Sequence, residues 1–215
     1  MAGIKEAFVD GGIWMYAILA ISILAFGVMI ERFVFIFFRY NINAHAFMAQ
    51  IQKLVMANNI DRAIKLCNAA PAAALPRVIK AGLTRANKGE LEIQNAIEEA
   101  SLEVVPLITK RTALLASLAN IATLLGLLGT IIGLIDAFSA LETATPDKRQ
   151  EMLSRGIALA MNTTAFGLIV AIPSLFVHML LSATTKKILD DIDQYSVKLA
   201  NLLTTRARSG EGGGN

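Results

Sequence analysis

The chain has 215 residues, 55% of them hydrophobic and only 17% charged, with a mean hydropathy of +0.56. Soluble domains carry about 25% charged residues, so this balance places the chain in the membrane class before any motif is read. A single cysteine, Cys67, excludes an internal disulfide, and the two histidines, His45 and His178, lie too far apart in sequence to make a ligand pattern.

Three runs contain no Asp, Glu, Lys or Arg: residues 13–30, 112–135 and 156–185. A helix needs roughly 20 apolar residues to cross a bilayer, and only helices and closed barrels satisfy their backbone in lipid. The expected fold class is all-α: a polytopic membrane protein with three transmembrane helices, two of them extended into a cytoplasmic helical domain. No nucleic-acid binding is read from the net charge of +3, because loop asymmetry accounts for it.

Residues 1–12 read as a short polar amino-terminal segment. Residues 13–38 form the first span, with Trp14 and Tyr16 as interfacial anchors at one end and Glu31 and Arg32 near the other. Lys5, Glu6 and Asp10 precede a run too long for a leader, so it reads as a retained span. Residues 39–111 hold ten basic and six acidic residues and read as a cytoplasmic helical domain. Helical spacing is expected over 46–56, 60–68, 73–87 and 90–110, with Pro71, Pro76 and the turn at Asn87–Gly89 as punctuation. The last of these is expected to run almost unbroken into the second span, 112–140, bent at Pro106. Residues 141–154 read as a periplasmic loop, 155–183 as the third span, 184–208 as a cytoplasmic helix and 209–215 as a disordered tail. Basic residues concentrate in 39–111 and after Ser182. The positive-inside rule therefore puts the amino terminus in the periplasm and the carboxyl terminus in the cytoplasm.

On the second span, Ala122, Gly126, Gly129, Gly133 and Ala137 recur at steps of three and four. On the third, Ala160, Thr164, Gly167, Ala171 and Ser174 do the same. Small faces let helix backbones approach closely in lipid, so Gly126, Gly129, Gly133 and Gly167 are expected to pack helices. Thr123, Thr130, Asn162, Thr163 and Thr164 add a polar row. Two readings stay open for it: each hydroxyl bonds a carbonyl four residues earlier, or the row lines an ion pathway. Asp136 is either a helix-end charge or an outer mouth that attracts cations. Hydroxyls do not titrate near pH 7, so a titrating group for proton transfer would come from another chain.

Residues 119–138, ANIATLLGLLGTIIGLIDAF, resemble the second-span signature of the MotA/TolQ/ExbB proton-channel family. Residues 156–173, GIALAMNTTAFGLIVAIP, are similar to its third-span signature, and residues 61–83, with Cys67 and Pro71, look like its cytoplasmic region. Length and three spans resemble the TolQ/ExbB-like branch rather than the four-span flagellar subunits. The resemblance implies a homo-oligomer, a pentamer, around a pore holding ExbD/TolR-like single-span subunits with a membrane aspartate. It implies a bacterial inner-membrane motor that conducts protons, or sodium, and transmits force to an envelope client protein. Thr130 and Thr164 occupy the positions of that family's pore-lining threonines. Two departures stand out: Leu159 replaces the usual glutamate, and Thr123 stands where proline is common.

Two other readings compete with the motor. One is a non-conducting membrane scaffold that oligomerises and organises partners, which the loss of the glutamate leaves open. The other is a membrane enzyme, for which the sequence offers no nucleophile–base pair, metal cluster or phosphate loop. No enzyme activity, metal or resident cofactor is expected; the transported ion, H+ or Na+, takes their place.

Overall fold

The computed structural model describes residues 12–40, 42–143 and 145–211, and every element among them is helical. In chain order these are α1 (Gly12–Val34), a π-helical turn (Phe35–Tyr40), α2 (Ala44–Met56), α3 (Ile60–Asn68), α4 (Ala74–Thr84), α5 (Glu90–Thr109), α6 (Thr112–Thr143) and α7 (Pro146–Glu211). The expectations for residues 1–11 and 212–215 lie outside the described residues. Three helical stretches are long and apolar enough to cross a membrane, and they contain the three uncharged runs. The chain divides into two compact units. One takes in the chain up to Glu31 together with Arg111–Leu180; the other takes in Arg32–Lys110 with the chain from Leu181 on.

The first unit follows membrane rules. Many of its buried positions are small, including Ala119, Ala122, Ala137, Ala160 and Ala171, beside the larger Met15, Ile18 and Leu115, while Phe26, Leu124, Ile131, Met161, Ile169 and Phe176 stay exposed. Only 17%, 28% and 22% of the most apolar windows of the three spans are buried, so lipid or other chains must cover the rest. Arg111 closes an ion pair with Glu31 at 2.5 Å.

The second unit follows soluble rules. Asn43 caps α2 by accepting from Ala46 N at 3.1 Å. Met48, Ile51, Val55, Val78, Ile79, Leu83, Ile93, Ile97, Ile192 and Leu199 form its core. α4 and α5 are held by that core and by two ion pairs, Arg77–Glu103 at 2.7 Å and Arg85–Glu92 at 3.3 Å. Gly82 sits at their closest approach: a Cβ there would lie 2.9 Å from Ile97 Cδ1 and 3.0 Å from Leu199 Cδ2. The buried Arg32 guanidinium donates to Leu107 O at 3.4 Å, one of the last α5 carbonyls, which lack intrahelical partners.

Two sequence expectations are corrected. α5 does not run into α6: Lys110 is extended (φ −53°, ψ 141°) and Arg111 is left-handed (φ 68°). A left-handed non-glycine residue costs roughly 1–2 kcal/mol, and no glycine or proline marks the break, so hydropathy runs through it unseen. Nor is 141–154 an irregular loop. α6 continues to Thr143 and α7 starts at Pro146, whose missing N–H suits a first helical position. Lys148 N donates to Thr145 O at 3.0 Å there. Charge shows where a helix becomes polar, and it does not show where the helix ends. At the other end, α7 continues through Glu211, past residue 208.

Two outcomes test this packing. Gly82→Val should cost about 1–3 kcal/mol by overpacking, read as a lower melting temperature in detergent. Burial pushes the Cys67 thiol up to about 11 from 9.0, so its thiolate is scarce at pH 8. Alkylation of Cys67 at that pH should run about 100-fold slower in the folded chain than after denaturation.

Candidate functional site

α6 and α7 meet along a seam of small residues. A Cβ on Gly126 would lie 3.1 Å from Thr163 O, and one on Gly129 would lie 3.0 Å from Thr163 Cβ. At Gly133 the nearest atom is Ala160 Cβ at 3.4 Å, while Gly156 on α7 closes directly on Ala137 of α6. Gly167 closes on backbone: a Cβ there would stand 2.7 Å from Ala122 O and 3.2 Å from Gly126 Cα. The four glycines expected to pack helices all line this seam.

Close backbones put hydroxyls within reach of the opposite helix. Thr130 Oγ1 lies 2.9 Å from Ala160 O across the seam and 3.1 Å from Gly126 O on its own helix. Thr164 Oγ1 reaches back across to Gly126 O at 3.2 Å. The two hydroxyls also hydrogen-bond to each other. Four oxygens from two helices therefore converge at one half-buried point, between residues far apart in sequence.

Proton counting defines what this point can do. Each threonine hydroxyl has one proton and two acceptor lone pairs. One hydroxyl donates to the other, and the second donates to a carbonyl, so both protons are spent within the cluster. Two polarities satisfy this: Thr164 to Thr130 to Ala160 O, or Thr130 to Thr164 to Gly126 O. In either one, hydroxyl lone pairs are left unused. The cluster is built to accept, which suits a hard cation or the O–H of a protonated carboxyl group. It offers no proton to a carboxylate without breaking one of its own bonds.

The remaining sequence candidates are placed as follows. Thr163 is buried against Gly129, and its hydroxyl bonds Ala160 O at 2.8 Å. Thr123 back-bonds to Ala119 O at 3.2 Å, away from the pair. Asn162 is half-buried, and Asp136 is exposed one and a half turns beyond Thr130. Leu159 is half-buried beside Ala160. Thr130 back-bonds four residues earlier, as the first reading expects, and also joins the inter-helix cluster. The carbonyls of Gly126 and Ala160 were missed, because a side-chain pattern does not display backbone acceptors. His178, set aside in sequence, lies with Nδ1 2.9 Å from Thr112 O at the start of α6.

The family model of the MotA/TolQ/ExbB proton channel family matches residues 71–194, more than half of the chain, with all of α6 and most of α7 inside the match. The chain belongs to that family. It is a multi-pass membrane protein. A comparison with curated proteins gave no match. Within this family member, the matched region runs from the start of α4 to the middle of α7 and so covers the whole oxygen cluster.

Gly167→Val should force the seam apart, because the opposing atom is backbone and cannot swing away. The expected result is a destabilisation of roughly 1–3 kcal/mol, seen as a lower melting temperature in detergent. Gly27→Val, with open space around its Cβ position, should leave it nearly unchanged.

Proposed function

We propose that this chain is the pore-forming subunit of an ion-driven motor of the TolQ/ExbB-like kind. The Thr130–Thr164 cluster would receive the ion-carrying group of a partner. The single observation behind this reading is that cluster: four oxygens from two membrane helices, half-exposed, with lone pairs left over. An acceptor site of this kind complements a partner helix that brings a protonated membrane carboxyl. The neutral acid would dock by donating to a threonine oxygen. Its ionised form would find no donor there and leave. Binding would then depend on the protonation state of the partner, which is the coupling a proton-driven device needs.

Several further parts of the proposal follow. The uncovered apolar faces of the spans fit a homo-oligomer, a pentamer by family resemblance, around ExbD/TolR-like single-span subunits. The charge distribution fits a bacterial inner-membrane protein with a periplasmic amino terminus and a cytoplasmic carboxyl terminus. Force would pass to an envelope or outer-membrane client. The chain itself would be neither an enzyme nor a holder of a resident cofactor. Protons fit the cluster through the partner's carboxyl; sodium would use the same oxygens directly. Asp136, exposed beyond the cluster, would raise the local cation concentration at one mouth.

Complementation of a strain lacking the chain tests the reading. Thr130→Val and Thr164→Val should each abolish rescue, while Thr130→Ser and Thr164→Ser, which keep the oxygen, should rescue. Crosslinking should show the same oligomer in all four variants. Rescue by both valine variants would leave the chain a non-conducting scaffold.

A further inference from the structure

A second site lies within the other unit, at the ends of two membrane runs. A cavity of about 470 Å³ is lined by Asn43, Ala44, His45, Lys187, Asp191 and Tyr195, with Ile42 at its edge. One wall is the amino terminus of α2, four residues after the π-helical turn that ends the first span. The other is α7 just past Thr185, where the third uncharged run ends and Lys186 and Lys187 begin. Phe38, four residues before Ile42, is 78% exposed on the segment that joins the first span to the cavity. The cavity therefore lies where a bilayer changes from acyl chain to headgroup.

Its chemistry is unspent. His45, Lys187 and Asp191 have no hydrogen-bond or ion-pair partner among the described residues. Lys187 and Asp191 stand one turn apart on α7, the spacing at which such pairs usually meet, yet they do not pair. Tyr195 is only 8% exposed and lines the cavity. Lys198 holds its ring from 5.1 Å, but its hydroxyl donates to nothing among the described residues. The first N–H groups of α2 also face this end and have no intrahelical acceptor.

We propose that this cavity binds the headgroup of a phosphoethanolamine lipid. The phosphate takes the positive side: the α2 amino terminus, Lys187, His45 and the Tyr195 hydroxyl. The primary ammonium takes Asp191. The two-carbon bridge between phosphate and ammonium matches the one-turn separation of Lys187 and Asp191. A phosphoglycerol headgroup has no cation for Asp191, and a choline ammonium has no N–H to donate to it. The acyl chains run past Phe38 into the bilayer.

Native mass spectrometry of the full chain in detergent reads the site directly. It is titrated with phosphatidylethanolamine, phosphatidylglycerol and phosphatidylcholine of matched chains, and with soluble glycerophosphoethanolamine and inorganic phosphate. The ethanolamine lipid should bind about tenfold or more tighter than the other two lipids. Lys187→Gln and Asp191→Asn should each weaken it about tenfold, Tyr195→Phe severalfold, and Lys187→Arg little. All four variants should keep the wild-type melting temperature in lipid-free detergent, which separates lost binding from lost folding. Equal binding of the three lipids, or full retention in Asp191→Asn, would overturn the proposal. So would displacement of the lipid by equimolar glycerophosphoethanolamine or phosphate, which would make the ligand a soluble anion.

Discussion

Two helix backbones in contact at Gly126 and Gly167 are the constraint on which the membrane unit depends. Lipid is as apolar as leucine, so helices there gain nothing by hiding hydrophobic side chains from it; packing and polar contacts have to hold them. The seam supplies both. With no Cβ at Gly126, Gly129 or Gly167, the axes come near enough for a hydroxyl on one helix to bond a carbonyl on the other. Thr130 to Ala160 O at 2.9 Å and Thr164 to Gly126 O at 3.2 Å are those bonds. Bulk at the glycines would therefore remove the chemistry as well as the packing. Many large apolar side chains, Leu124, Ile131, Met161 and Ile169 among them, are exposed.

The other unit is stabilised by different physics. Burial of Met48, Ile51, Val78, Ile79, Ile97 and Leu199 contributes roughly 1.5–3 kcal/mol per large side chain. The ion pairs Arg77–Glu103 and Arg85–Glu92 are largely exposed and set register more than stability. Arg32 is buried although charged. Its buried guanidinium is useful because it meets an α5 carbonyl that the helix cannot satisfy. Single residues such as Arg111, with its left-handed backbone and its ion pair to Glu31, mark where one kind of packing gives way to the other.

Much of this was legible in the sequence, for reasons that also explain what was not. The three uncharged runs exceed the length a bilayer requires, so three spanning helices followed from arithmetic. The small-residue stripes follow helical spacing, so the faces carrying Gly126, Gly129, Gly133 and Gly167 could be read before any packing was seen. Thr130 and Thr164 were read as a functional pair, yet their meeting is a property of the seam. Spacing within one helix did not show that Thr163 would be spent on Gly129 or that Thr123 would stand apart. The break at Lys110 and Arg111 was invisible because neither residue announces it. The helical 146–154 segment was misread because Asp147, Lys148, Arg149 and Glu151 resemble a solvated loop in composition. The cavity beside Tyr195 joins Asn43 to Lys187, 144 positions apart in sequence, and no local pattern connects them.

The proposed function requires that ions cross this membrane by way of a carboxyl that docks on the threonine oxygens. Proton and sodium flux into proteoliposomes tests it most directly. The vesicles hold this chain with a candidate single-span subunit, either wild type or with Asn in place of that subunit's membrane aspartate. Flux is expected under an imposed gradient with the aspartate present, and none with asparagine, which stays neutral and cannot cycle a proton. Equal flux from both samples, or none from a verified wild-type complex supplied with its client, would contradict it.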